Sequence, residues 1–196
     1  MFKGNKKTTT TATNHTPQNT FIAKEIEITG NFKGKGAVQV EGILHGDINV
    51  TSVVIGEHGR VNGTINAINV IVNGELNGSL FCDTLEVMPN GTISNEIKVK
   101  RVLISGKVDG SIESKEEINI DKTGVVNATK MISKNIMVEG KFKGDLISSE
   151  LLEIGNSGSV EGNITVKNIK THEGGRLLGS MQLYTPEIPK TEIAKN

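Results

Sequence analysis

The sequence predicts an all-β solenoid, a single-stranded parallel β-helix of about ten rungs. Three observations predict it. Glycine recurs along most of the chain, a second residue after each recurring glycine is apolar, and polar and apolar residues alternate strictly between them. Strict alternation is the period of an extended strand with one wet and one dry face. A unit of this size cannot bury its apolar side alone, so repeats of it must stack.

The recurring glycines are Gly30, Gly42, Gly59, Gly74, Gly91, Gly106, Gly124, Gly140, Gly158 and Gly175, spaced 12 to 18 residues apart. Two residues after them stand Phe32, Leu44, Val61, Leu76, Ile93, Val108, Val126, Phe142, Val160 and Leu177, all apolar in a chain that is 35% apolar. The fourth place holds Gly34, Gly46, Gly63, Gly78, Gly110, Gly144, Gly162 and Gly179, with Asn95 and Ala128 as substitutes. The sixth holds Ile48, Ile65, Leu80, Ile97, Ile112, Leu146, Ile164 and Met181, interrupted by Gly36 and Lys130. Glycine and Asn suit bends that need positive φ or close backbone approach. β-branched residues dominate the apolar columns and favour extended chain over helix.

A longer rhythm overlies the first. Rungs entering at Gly42, Gly74, Gly106 and Gly140 have short corners such as Val40-Glu-Gly. Alternate rungs carry two more residues, as in Val87-Met-Pro-Asn-Gly and Ile154-Gly-Asn-Ser-Gly. Each rung holds enough residues for three short strands. Stacked at ~4.8 Å per layer, ten rungs make a rod on the order of 45 Å long with a narrow aliphatic core. Such a core has little room for large rings, and only 3% of the residues are aromatic, with no Trp.

Composition bounds the function. Twenty-two basic residues balance 22 acidic ones, so no net charge draws the chain to nucleic acid. There is neither a basic face nor a set of stacking aromatics for such a ligand, and no nucleic-acid partner is expected. The single cysteine, Cys82, forms no intrachain disulfide and reads as a small buried apolar residue. No run approaches a membrane span and no secretory signal opens the chain, so a cytosolic protein is expected. The seven Asn-x-Ser/Thr sequences, at Asn14, Asn49, Asn62, Asn77, Asn90, Asn127 and Asn163, then read as turn residues.

The pattern divides the chain into a flexible N-terminal tail (1–20), a β-helix (21–184) and a flexible C-terminal tail (185–196). Neither tail offers an amphipathic helix to close the stack. Solenoids that stay monomeric carry polar capping repeats; here the first rung presents Phe21, Ile22, Ile26, Ile28 and Phe32. The last presents Leu177, Leu178, Met181, Leu183 and Tyr184. Uncovered backbone edges recruit further chains. The expectation is a homopolymer joined end to end through Phe21, Ile26, Ile28, Phe32, Leu177, Leu178, Met181, Leu183 and Tyr184. Met1, Phe2, Lys3, Lys6 and Lys7 form a second candidate element, a weak lipid anchor that gains strength when many copies share one rod.

Rungs of this kind, such as Val138-Glu-Gly-Lys-Phe-Lys-Gly-Asp-Leu, between two unpatterned ends and opened by Met-Phe-Lys, resemble the bactofilins, a bacterial family of polymer-forming cytoskeletal proteins. The resemblance spans roughly residues 24 to 184. It implies a right-handed β-helix of triangular section and filaments assembled without nucleotide. It also implies attachment to the inner face of the cell membrane through the N-terminal segment. The implied role is a scaffold for cell shape, wall synthesis or motility, with cell-wall or motility proteins as partners. The domain is long for the family, and Gly4 and Asn5 split the N-terminal lysines.

The competing class is a β-helical enzyme of the hexapeptide-repeat kind, an acyltransferase or hydratase. That architecture needs a regular turn of 18 residues, and the spacing here is uneven. Catalysis or metal binding would need clustered bases, yet His15, His45, His58 and His172 fall at unrelated repeat positions. Asp47 and Asp145 share a column several rungs apart, and no glycine loop carries the Gly-Lys-Ser/Thr of a phosphate site. No catalytic residue, cofactor or metal ligand is assigned.

Overall fold

A computed structural model describes residues 19–185, and these contain twenty strands and no helix. Every strand pairing is parallel. The chain winds through ten rungs, and each rung contributes one strand to each of three long faces.

The first face begins with Asn19–Ile22 and Ala37–Val40, paired Ile22↔Val40, and climbs to Ile169–Thr171. The second begins with Glu27–Thr29, whose Ile28 lies beneath Leu44, and the third with Phe32–Lys33, whose Phe32 lies beneath Ile48. From Thr92 onward the strands of a rung merge, as in Thr92–Ile104 and Lys107–Ile120, but the three columns continue unbroken.

Because side chains alternate along a strand, one residue in two enters the axis of the rod. Ile55, Val61, Ile65, Leu76, Leu80 and Ile93 have no exposed surface. Each inward side chain packs on its equivalents one layer above and below, so the core is a set of aliphatic ladders rather than a globule.

Each of the three corners has its own chemistry. Between the first and second faces the backbone of one rung presses on the next, and a Cβ at Gly74 would overlap the carbonyl oxygens of Gly59 and Gly56. Short and long corners alternate here as expected. The long ones close with a turn such as Gly59 N–H to Gly56 O at 2.9 Å, or Gly91 N–H to Met88 O at 2.8 Å. The alternation ends at the top, where Gly158 and Gly175 both close long corners.

Between the second and third faces the chain bends at positive φ. Gly46 (144°), Gly63 (154°) and Gly78 (158°) occupy this column, and Asn95 takes the same role at 94°. Asn is the non-glycine residue that tolerates such backbone best. Ala128 avoids positive φ by another route: the register slips there, and Met131 rather than Lys130 enters the core column beside Ile112. The interruption at Lys130 is thus a one-residue bulge, and the aliphatic ladder runs through it intact.

The first rung corrects the sequence register. Gly30 does not belong with Gly42; it lies in the positive-φ column beneath Gly46, and its amide bonds His45 O at 2.9 Å. The place beneath Gly42 is held by Ile26, closed by a turn from Ile26 N–H to Ala23 O at 3.2 Å with Glu25 at φ 69°. Ile28 therefore starts the column assigned to Phe32, and Phe32 starts the next.

The third corner carries a ladder of small side chains: Val50, Ala67, Cys82, Val99, Ser114, Ser133, Ser148 and Val166. The serines answer a backbone problem. Rungs at 113–117 and 147–151 carry one extra residue at this corner, so a carbonyl of the rung below loses its ladder partner. Ser114 Oγ donates to Lys100 O at 2.6 Å, and Ser148 Oγ donates to Lys134 O at 2.9 Å. Ser133 sits between them at a corner of ordinary length, and its buried hydroxyl has no partner. An orphaned buried carbonyl costs about 1–3 kcal/mol, whereas a hydroxyl without a partner gives nothing back for its desolvation. Ser148→Ala should therefore destabilise the rod by about 1–2 kcal/mol in chemical denaturation. Ser133→Ala should leave it unchanged or slightly more stable.

Candidate assembly surfaces and family

The two end rungs differ from all others in having a neighbour on one side only. Strands Asn19–Ile22, Glu27–Thr29 and Phe32–Lys33 pair upward alone, and Ile169–Thr171 and Arg176–Leu183 pair downward alone. Each end thus presents half of a backbone ladder with no partner among the described residues.

The aliphatic columns are cut open at the same places. Ile28 and Phe32 at the bottom, and Leu177 at the top, are only half-buried, while Leu44 and Val160, one layer inward, are fully covered. Met181 and Leu183 continue the columns of Ile164 and Val166 and are 56% and 72% exposed. Ile26 lies on the lower rim and Tyr184, half-buried, on the upper one. Phe21 and Leu178 occupy outward positions, on the flanks of the first and last rungs, because each pairs with an outward residue (Gln39 and Glu161).

Nine large apolar side chains are exposed among the described residues, and six of them, Phe21, Ile26, Ile169, Leu178, Met181 and Leu183, belong to the two end rungs. Chemistry elsewhere is mostly that of a solvated ladder. Arg60 Nε donates to Glu75 at 2.7 Å, Lys100 Nζ to Asp83 at 2.7 Å, and Asn127 Nδ2 to Asp109 at 2.9 Å, each joining adjacent rungs. Asp47 accepts from the Thr64 amide at 2.9 Å and Asp145 from Asn163 Nδ2 at 2.8 Å. These two carboxylates lie six layers apart, about 29 Å, and each clamps its own neighbour rung.

The histidines are equally dispersed. His45 lies 3.3 Å from Glu27, His172 lies 2.5 Å from Glu153, and His58 is exposed in a turn; His15 falls outside the described residues, as do Met1, Phe2, Lys3, Lys6 and Lys7. Cys82 faces a shallow groove of about 530 Å³ on the third corner, beside Ala67, Phe81 and Val99. Burial, and secondarily the charge of Asp83, pushes its thiol up to about 12, so the thiolate needed for nucleophilic chemistry is scarce at neutral pH. No described helix is long and apolar enough to cross a membrane.

The sequence profile of the bactofilins, polymer-forming cytoskeletal proteins, matches residues 20–105 and again 100–182. The chain belongs to the bactofilin family. The match covers nearly the whole ladder in two consecutive stretches, each about half of the rungs. No curated protein and no solved structure matches the chain. Membership makes this bactofilin a polymer-forming cytoskeletal protein of a structural class.

The top of the rod holds a small charged cluster. Glu153 accepts from Lys170 Nζ at 2.8 Å as well as pairing with His172, so the last rung is tied to the one beneath it. The His172 bond first, and the Lys170 bond second, hold the Glu153 carboxyl below the usual carboxylate range. A carboxylate depressed in the folded state stabilises fully above its unfolded pKa and loses that contribution as pH falls through the folded value. Glu153→Gln should accordingly lower the thermal midpoint at neutral pH and leave it unchanged near pH ~2–3, as read by circular dichroism melts at the two pH values.

Proposed function

We propose that this bactofilin assembles end to end into nucleotide-independent filaments that act as a scaffold at the inner face of the cell membrane. There it organises proteins of cell shape, wall synthesis or motility. The observation that carries the reading is the concentration of exposed apolar side chains on the two rungs whose backbone edges are also unpaired.

Magnitudes decide why both features matter. Burying an exposed Leu, Met or Phe contributes about 1.5–3 kcal/mol, so three or four per joint give on the order of 5–10 kcal/mol. Association costs about 4–15 kcal/mol in lost freedom. Apolar contact alone leaves the joint near balance. Continuing the backbone ladder across it supplies the remainder and fixes the direction of growth along the rod, because among the described residues no other surface offers an open edge.

Met181→Lys with Leu183→Lys is the direct test. Both side chains are exposed in the single rod, so its melting should be unaffected. Negative-stain microscopy and sedimentation should show short species where the parent forms long filaments. Filaments of unchanged length would overturn the end-to-end reading.

The membrane role rests on the Met1-Phe2-Lys3 start with Lys6 and Lys7, and on multiplicity. One aromatic and three cations hold a single copy weakly, while a filament displays many such segments at once. Removal of residues 1–7 should abolish co-sedimentation with anionic vesicles and leave filaments intact. The end variant should bind the same vesicles much more weakly than the parent despite its unaltered N-terminus.

A further inference from the structure

Three large apolar side chains are exposed away from the end rungs: Ile68, Ile71 and Leu103. All three lie on the first face or at its edge. Ile71 and Leu103 stand in the outward column that runs Phe21, Gln39, Val54, Ile71, Glu86, Leu103 up the rod. The neighbouring outward column is made of small side chains, Ala37, Ser52, Asn69 and Thr84, as far as Arg101 in the rung of Leu103. Over the five lowest rungs the strands of this face carry one charge, Glu86; the sixth, which holds Leu103, adds Arg101, and Asp83 and Lys100 pair along the edge where Ile68 lies. The corresponding rungs of the second face carry Glu27, Arg60 and Glu75, and those of the third carry Lys33, Asp47, Glu96 and Lys98.

We infer that the first face is a side-by-side contact between two copies of the rod. With Arg101 the one cation on its strands over these rungs, and Glu86 beside it, the face is a poor match for an acidic partner or an anionic lipid surface. A face nearly free of charge is also the one that meets its own copy without like charges opposed. The period points the same way. Side chains repeat here every ~4.8 Å along a flat sheet, and a second ladder with that spacing lets the two rows interdigitate over their whole length.

Size sets the strength. The face is about 13 Å wide, four residues of strand, and its six lowest rungs are about 29 Å tall, or about 380 Å² per copy. Two such faces bury about 750 Å², short of the ~1,200 Å² of a stable specific interface. Single rods pair weakly. Rods already joined end to end pair firmly, since each added subunit contributes another contact on the same line.

Ile71→Lys with Leu103→Lys should convert doubled or bundled filaments into single ones of unchanged length, seen as a halving of width in negative stain. The end variant changes length, so the two readings fail separately. To read pairing without filaments, Ile71→Cys is placed in a Cys82→Ala, Met181→Lys, Leu183→Lys background and treated with a short bismaleimide. Ala67 holds the place one rung below Cys82, so alanine fits that column. A cross-linked dimer should form severalfold more than with Lys143→Cys, which projects from the second face. Equal cross-linking from the two positions, or doubled filaments that survive the lysine pair, would overturn the inference. Loss of vesicle binding with pairing intact would overturn it too, and would assign the face to lipid.

Discussion

Close approach of one rung's backbone to the next is the constraint on which the rest of the structure depends. Parallel strands must lie a strand spacing apart on all three faces at once, and the corners must turn within that same spacing. At Gly74 there is no room for a Cβ between two carbonyl oxygens, and at Gly78 the bend needs a backbone that side chains resist. Once those corners are met, the aliphatic ladders align without further instruction. Ile55, Val72 and Val87 then sit above one another because their corners do.

The same constraint explains where polar groups enter the core. A rung with an extra corner residue lifts its chain away from the carbonyl below, and a serine hydroxyl fills the gap at Lys100 and at Lys134. Ser133 shows that the column tolerates the residue even where no carbonyl needs it. Side-chain pairs between rungs, such as Arg60 with Glu75, lie in water and add little individually. Cohesion therefore resides in the ladders and the apolar columns, and both are interrupted at the ends.

Most of this was legible in the sequence because glycine and alternation report backbone geometry directly. The ten rungs, the three strands per rung and the long and short corners follow from spacing alone. The first rung was misread for a definable reason. The motif has two glycine columns four residues apart with an apolar residue two places after each, so a shift by four maps the pattern onto itself. Gly30 fits either column, and Glu25 supplies the left-handed residue that lets Ile26 stand where glycine was expected. The bulge after Ala128 was hidden because one inserted residue, Thr129, leaves no mark except a broken column. For the assembly surfaces, the apolar end rungs were visible, but the sequence did not separate inward Leu177 from outward Leu178. Nor did it show that Ile71 and Leu103 share a flank, since column parity becomes clear only when register is known.

The described chain makes a whole number of circuits. It starts at Asn19, at the foot of the first face, and leaves through Leu183 and Tyr184 at the corner that adjoins the same face. The first and last described residues thus lie along a single longitudinal ridge, the one between the third and first faces. A rod built this way is one-sided despite its three faces.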